Sequence, residues 1–368
     1  MSKNLHTHIE QRSVESLIES TWDCVVVGAG PAGAMTALHL ARRGGQVLLL
    51  DGARFPRDKV CGDGLTPTAA ASLQRAGLLP LVQEAGHAVA GAAVWTSSSD
   101  EYVIQRPFIT LRRRLLDSLV TGAAVAAGAE FYQGRVVDLE IAGDGVVITV
   151  AGRATPLHAR VTVLATGVEL NLCRRLGLGG PGPSGLGRPS AIAVRRYVRS
   201  AVPIERLTAF YDPTCFPGYG WIFPLGDNNH NIGVELFPRV WPASGQQAKQ
   251  AFDRFSRRFR LARDLLAAAT EIGPLQGGAL RWGLKSAPPL GVANVLCVGD
   301  TIGAAVPFTG EGISRAMETG ELAAQIIHKA LDRGKLERLR DYPQIIEQEL
   351  RPLQAEKRDR WKPLCRSV

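Results

Sequence analysis

No two cysteines stand in C-x-x-C spacing in these 368 residues, and none has a histidine partner beside it. The six fall at positions 24, 61, 173, 215, 297 and 365. That scatter argues against a metal site or a disulfide framework and for a reducing, cytoplasmic setting. No apolar run reaches the roughly 18 residues that a bilayer-spanning helix needs. The opening MSKNLHTHIEQRS lacks the apolar core of a signal peptide, so residues 1–20 are expected to form a flexible polar segment. There is no second G-x-G-x-x-G, no internal repeat, no low-complexity tract and no nucleic-acid-binding motif. The formal charge of +9 is spread over RRR at 112–114, RR at 174–175 and 195–196, RRFR at 257–260 and a basic C-terminal end. Such charge reads first as a solvated surface, and otherwise as attraction to an acidic protein partner or a membrane surface, but not to DNA.

What is present is a soluble globular balance, 45% apolar and 21% charged, in a chain long enough for two packed parts. Trp22–Val27 (WDCVVV) is a short β-branched run read as a buried strand. GAGPAG follows at once, with Gly28, Gly30 and Gly33 in G-x-G-x-x-G spacing around Pro31 and Ala32. AMTALHLARRG then repeats apolar residues at helical spacing and ends at Gly44, and QVLLL forms a second strand closing on Asp51-Gly52. Strand, glycine turn, helix, strand and terminal acid together make a dinucleotide fingerprint. Gly28 forms the turn, Gly30 admits a pyrophosphate, Gly33 lets helix and strand pack, and Asp51 is placed for a ribose hydroxyl.

Near the other end, NVLCVGD reads as a buried strand ending in Gly299-Asp300. Beyond Pro307, the residues Gly310, Glu311, Gly312 and Ile313 open a long amphipathic helix whose free amides can face an anion or a flavin carbonyl. The fingerprint at 28–33, the acid at 51, and GDxxGxxxPxxGEGIxxAMxxGxxAA from Gly299 to Ala324 resemble the superfamily of FAD-dependent hydroxylases and reductases. That resemblance implies FAD and an α/β fold: a Rossmann-like FAD-binding domain of the p-hydroxybenzoate hydroxylase type, with an inserted mixed or antiparallel-sheet substrate domain.

PRxKxCGxxLxP, carried by Pro56, Arg57, Lys59, Cys61, Gly62, Leu65 and Pro67, is similar to the geranylgeranyl reductase family, which saturates isoprenoid double bonds with reduced FAD. GYGWIFPLGDNNHNIGV matches that family's YxWxFPxxxxxNxG through Tyr219, Trp221, Phe223, Pro224, Asn231 and Gly233. A helix carrying Arg113 and Asp117 matches its RxxxD, and Arg195 and Tyr197 its substrate-lining strand. The resemblance implies a Cys61 loop beside the flavin ring, with Arg57, Lys59, Gly62 and Arg113 toward the cofactor. Phe223, Pro224 and Arg195 would then face the substrate.

On physical grounds the cations Arg57 and Lys59 are expected to lower the Cys61 thiol pKa, although Cys61 also reads as a small packing residue. Gly62 and Gly64 suit a backbone lying against a flat ring. Tyr219, Trp221 and Phe223 alternate along one strand face, an apolar wall that Pro224 is expected to close, or else a face packed on its own core. His230 is expected in an exposed loop.

Hydride from reduced FAD and a proton from Cys61 or a bound water would saturate an alkene. The alternatives are an FAD monooxygenase acting on an aromatic or a partner-protein residue, a halogenase, and a non-catalytic flavin-binding maturation protein. Ala165-Thr166-Gly167 lacks the Asp usual near there in the superfamily, so ferredoxin or an external reduced flavin stands beside NAD(P)H as electron donor. The expected partners are an apolar or lipid substrate, an electron-transfer or substrate protein, and a membrane surface met peripherally. The FAD-binding part is expected at 21–90, 112–170 and 270–330, the substrate part at 91–111 and 180–269, and a charged helix or tail at 331–368.

Overall fold

The computed structural model describes residues 9–17, 20–96, 101–178, 189–212, 215, 218–237, 245–282, 290–307 and 309–352. These divide into two compact units with boundaries at Arg57/Asp58, Leu116/Asp117, Arg188/Pro189 and Leu280/Arg281.

The first unit is built on a nine-stranded sheet. At its centre Thr21–Val27 pairs in parallel with Val47–Asp51 on one side and Leu157–Leu164 on the other. Val295–Cys297 adds in parallel beside Leu157–Leu164. The later parts of these strands, such as Val25–Val27 and Val161–Leu164, are buried on both faces and read as β-branched and leucine runs, as covered parallel strands do. Val136–Ala142 and Gly145–Val150 extend the sheet as an antiparallel meander. The helices Pro31–Ala41 and Ile313–Asp332 pack closely together. Thr36 Oγ1 donates to the carbonyls of Ala32 at 2.9 Å and Gly320 at 3.2 Å.

Residues 9–17 are not loose, contrary to expectation. Arg12–Ser13 pairs with Tyr132 and Gln133, the Gln11 side chain bonds Ala53 O and Phe55 N, and Val14 and Leu17 are buried. At the other end, residues 342–352 form a helix whose Tyr342, Ile346 and Leu350 are buried, and Tyr342 Oη donates to Cys297 O at 2.6 Å. Residues 353–368 of the expected tail, with Cys365, lie outside the described residues.

The second unit has an eight-stranded sheet and a three-stranded one. Ala191–Ser200, Asn229–Leu236, Gly218–Gly226 and Leu207–Tyr211 form the antiparallel centre of the larger sheet. Even positions of Gly218–Gly226 face the helices Gly245–Arg258 and Arg260–Ala267. There Ile222 joins Phe210, Phe252, Phe255 and Phe259 in the core, and Gly220 leaves room for the Phe255 ring. Odd positions face the other way.

Residues 58–90, 112–116 and 270–280, expected with the nucleotide-binding part, group with this second unit. For 58–90 the backbone explains it: Gly64–Leu65 and His87–Val89 both pair with Phe108–Thr110, and Thr110 Oγ1 donates to Pro224 O. Among the described residues no helix is long and apolar enough to cross a membrane.

A Cβ at Gly320 would sit 2.2 Å from Ala32 O, a backbone atom that cannot swing aside. Gly320→Ala therefore loses more to overpacking than it gains in helix propensity, and urea unfolding should show a net destabilisation of about 2 kcal/mol.

Candidate functional site: a dinucleotide cradle and a cysteine loop

The predicted fingerprint is present in the first unit as backbone geometry. Gly28 takes φ +104° and its N–H donates to Leu50 O at 2.7 Å; a Cβ there would lie 2.4 Å from Ala165 O. At Gly33 a Cβ would lie 1.9 Å from Gly28 O, so turn and helix touch through bare backbone. The helix starts at Gly30 with Pro31 in its first turn, no capping side chain and no acidic residue there. Its leading amides are thus available to an anion.

Asp51 holds this turn rather than standing apart from it. One carboxylate oxygen accepts from Ala29 N and the other from Ala53 N, both at 2.9 Å. The Oδ1 that accepts from Ala53 N keeps a lone pair for a ribose hydroxyl. Arg57 pairs with Asp117 at 2.8 Å, reaches Asp51 at 3.5 Å, and lies over the Phe55 ring at 4.7 Å. A Cβ on Gly52 would meet only ordinary contacts with Arg135.

The second glycine turn comes to the first. Gly299, at φ +65°, faces Ala32 so closely that a Cβ would lie 3.0 Å from the Ala32 Cβ. Its N–H donates to Thr319 Oγ1 at 3.0 Å. Asp300 Oδ1 lies 3.6 Å from where a Gly312 Cβ would be, and Gly312 opens Ile313–Asp332 without a side-chain cap. Glu311 accepts from Ser314 Oγ at 2.8 Å and its carbonyl from Val306 N, while Pro307 O accepts from Thr309 N. Two uncapped helix starts, which donate, and two carboxylates on glycine turns, which accept, thus lie in one unit, a set suited to FAD.

A family model described as an FAD binding domain matches residues 21–349. Menaquinone reductase of Mycolicibacterium smegmatis is 31% identical over 332 residues, covering 83% of this chain and 76% of that protein. The chain belongs to the geranylgeranyl reductase family of FAD-dependent oxidoreductases. Digeranylgeranylglycerophospholipid reductase 2 of Methanopyrus kandleri is 28% identical, over 84% of this chain and 78% of its own. A geranylgeranyl bacteriochlorophyll reductase-like structure from Thermoplasma acidophilum superposes with a TM-score of 0.77 at 22% identity, covering 90% and 84% of the two chains.

In the second unit of this flavoprotein the cysteine loop lies against the aromatic strand. Tyr219, Trp221 and Phe223 do share one face, with successive ring centroids 6.0 and 6.3 Å apart, and Tyr211 stacks on Tyr219 at 5.1 Å. Tyr219 and Trp221 are buried at 7% and 3% exposure, with Ala193, in a cluster of their own, while Phe223 is half-buried. The flat ring that requires Gly62 and Gly64 is Phe223 itself: Cβ atoms there would lie 2.9 and 3.4 Å from its Cε2. Pro224 does not end the strand, which runs on to Gly226 with Pro224 opposite His230. Nor is His230 in an exposed loop; it lies on Asn229–Leu236, 4% exposed, and burial lowers its pKa.

Cys61 departs from expectation too. Burial of its sulfur raises the thiol pKa, outweighing the opposing pull of Arg113 and Lys59. Arg57, the other cation expected to act on it, is instead engaged by Asp117 and Asp51. Cys61 is therefore a protonated thiol at neutral pH. Lys59 N donates to Asp58 Oδ1, and the Arg113 backbone N–H donates to Asp63. Arg195 is neither solvated nor open to a ligand. At 1% exposure it donates to Gln276 and Asp58 and lies over Tyr197 at 4.1 Å.

The residue sequence reasoning missed is Asp63. It is fully buried with φ +64°, and its carboxylate accepts from Tyr197 Oη and Asn231 Nδ2, both at 2.8 Å, and from Arg113 N at 3.1 Å. Asn231 also donates to Cys61 O at 2.7 Å and accepts from Trp221 Nε1 at 2.9 Å. An aspartate between two glycines is the one signal that pointed to it. Also missed were Glu235, which accepts from Tyr219 Oη, and the buried contact of Cys173 and Cys297 sulfurs at 3.9 Å.

The depressed pKa of His230 carries a stability consequence. Its neutral form is the one folded protein accommodates, so the contribution is present above the unfolded value of 6.5 and is lost as pH falls through the lower folded value. Urea unfolding from pH 7.5 down to 5 should show wild type losing stability relative to His230→Gln.

Proposed function

We propose that this flavoprotein reduces carbon–carbon double bonds in the isoprenoid part of a lipid or prenylated quinone. The observation that carries the reading is the Cys61 loop lying against the Trp221 and Phe223 rings, with burial raising the thiol pKa. The names of the menaquinone and digeranylgeranylglycerophospholipid reductases support the substrate class.

In this reading the residues Gly28, Gly30, Pro31, Ala32, Gly33, Asp51 and Gly52 hold the ADP part of FAD, with Gly299, Asp300, Pro307 and Gly310–Ile313 on its remaining polar atoms. Reduced FAD, when bound, supplies a hydride to one alkene carbon. The chain's own contributions are apolar and protic. Tyr219, Trp221 and Phe223 exclude water and offer π faces to a polyprenyl segment. The Cys61 sulfur gives its proton to the second carbon, and the thiolate left behind is stabilised by Arg113 and Lys59 until solvent reprotonates it.

Arg57, paired to Asp51 and Asp117, orients the cradle rather than the substrate. Arg195 serves through Asp58 and Tyr197, behind the loop. Ala165, the residue that faces Gly28, braces the turn; the electron donor in this reading is NAD(P)H or a reduced ferredoxin or flavin. Peripheral contact with a membrane goes with a lipid substrate. The strand Glu101–Ile104 leaves Tyr102, Val103 and Ile104 exposed.

Anaerobic incubation of the dithionite-reduced protein with prenyl quinones and prenyl glycerophospholipids should give a product about two daltons heavier per bond, by mass spectrometry. Cys61→Ser should lower turnover by roughly 100-fold with FAD content unchanged. A strict need for oxygen and a gain of about sixteen daltons would replace the reading with monooxygenation.

A further inference from the structure

The 61–64 loop carries a strained residue that hydride and proton chemistry does not by itself call for. Asp63 sits in the left-handed region at φ +64°, which a non-glycine residue adopts at a cost, although the flanking positions are both glycine and could have taken the turn. It is fully buried, and every group on its carboxylate is a donor: Tyr197 Oη, Asn231 Nδ2 and the Arg113 amide. Its carbonyl accepts from Leu111 N at 3.0 Å. Its own N–H is directed at the Cys61 sulfur, a contact that favours thiolate. A glycine here would allow the same backbone but leave those donors with nothing to hold.

We propose that Asp63 is the positioning residue of Cys61: its anchored carboxylate fixes a left-handed turn that keeps its N–H on the Cys61 sulfur and the loop against the Trp221 and Phe223 rings. Asn231 closes the arrangement from the other side. It grips the Asp63 carboxylate and the Cys61 carbonyl with one amide nitrogen and the Trp221 indole with its oxygen. Loop, thiol and aromatic strand are thus one hydrogen-bonded body within the second unit.

The charged and titratable groups facing Cys61 are Asp63, Arg113, Lys59 and, across the aromatic face, Tyr219. Those facing Asp63 are Tyr197 and Arg195, with Asp58 behind Tyr197. Burial raises the Asp63 pKa against the pull of its donors. Asp63 therefore acts on the thiol in two opposed ways, its N–H favouring thiolate and its carboxylate disfavouring it.

The catalytic importance of this rests on the reading that Cys61 is the proton donor, but the positioning itself is read without turnover. In the FAD-loaded protein, the rate of Cys61 carbamidomethylation is followed against pH, by mass spectrometry of the Cys61 peptide. Asp63→Asn removes the facing carboxylate and should lower the midpoint by about half a pH unit or more, about threefold faster labelling below the midpoint. Tyr197→Phe keeps the carboxylate and removes one anchor; the N–H slackens from the sulfur and the midpoint should rise. Opposite movements support the proposal, and should Asp63→Asn not fold, the rise in Tyr197→Phe decides alone. Midpoints unchanged from wild type in the folded variants, even with lowered melting temperature, would show Asp63 to be a structural brace only and overturn it. Full turnover in Cys61→Ser would instead remove Cys61 as the proton donor while leaving the labelling result standing.

Discussion

The nucleotide-binding unit depends on one condition, that glycines without side chains come close around Ala32. Gly33 comes to Gly28 O, Gly320 to Ala32 O, and Gly299 to the Ala32 methyl, each at a separation a Cβ would fill. These glycines come from three stretches of the chain, and their convergence sets the start of the Pro31–Ala41 helix against both the first strand and the Ile313–Asp332 helix. The same closeness leaves the helix's leading amides uncapped. An anion-binding helix start on this scaffold is therefore a by-product of tight packing as much as a device added to it.

The second unit is organised by the opposite means, a buried polar hub in place of bare backbone. Asp63, Asn231 and Tyr197 satisfy one another and tie an irregular loop to a sheet. Burying a carboxylate is expensive unless donors surround it, and here three do. An apolar residue at 63 would leave the Tyr197 hydroxyl, the Asn231 amide and the Arg113 N–H without their acceptor. The hub buys a defined loop conformation on an aromatic face that could otherwise be packed in several ways.

Much of the first unit was legible because its determinants are local. Glycine spacing, two β-branched runs and a terminal acid lie within thirty residues of one another, and each maps onto backbone geometry that only those residues permit. Period-two alternation likewise placed Tyr219, Trp221 and Phe223 on one face. What escaped was set by partners distant in sequence. Asp63 acquires its role from residues 134 and 168 positions away. Arg195 sits in a doublet that resembles surface charge until its pairing with Asp58 is seen. His230 follows DNN, a turn signature that does occur at Asp227 and Asn228, but the strand begins sooner after the turn than the polar run suggests. Cys173 and Cys297 become neighbours only through the sheet order.

Cys61 shows why sequence neighbours mislead about charge. Cations two and four positions away suggested a thiolate, yet Arg57 spends its charge on Asp51 and Asp117, and burial of the sulfur overrides Lys59 and Arg113. For nucleophilic chemistry that outcome would be a defect. For protonating an alkene it is a requirement, since a thiolate has no proton to give. A general acid must nonetheless part with its proton, and efficiency falls as its pKa climbs away from the working pH. The Arg113 charge and the Asp63 N–H oppose that climb, whereas the Asp63 carboxylate adds to it. The loop thus sets the thiol between two limits, and the balance lies in the orientation of a single left-handed residue whose backbone and side chain pull on the same sulfur in opposite directions.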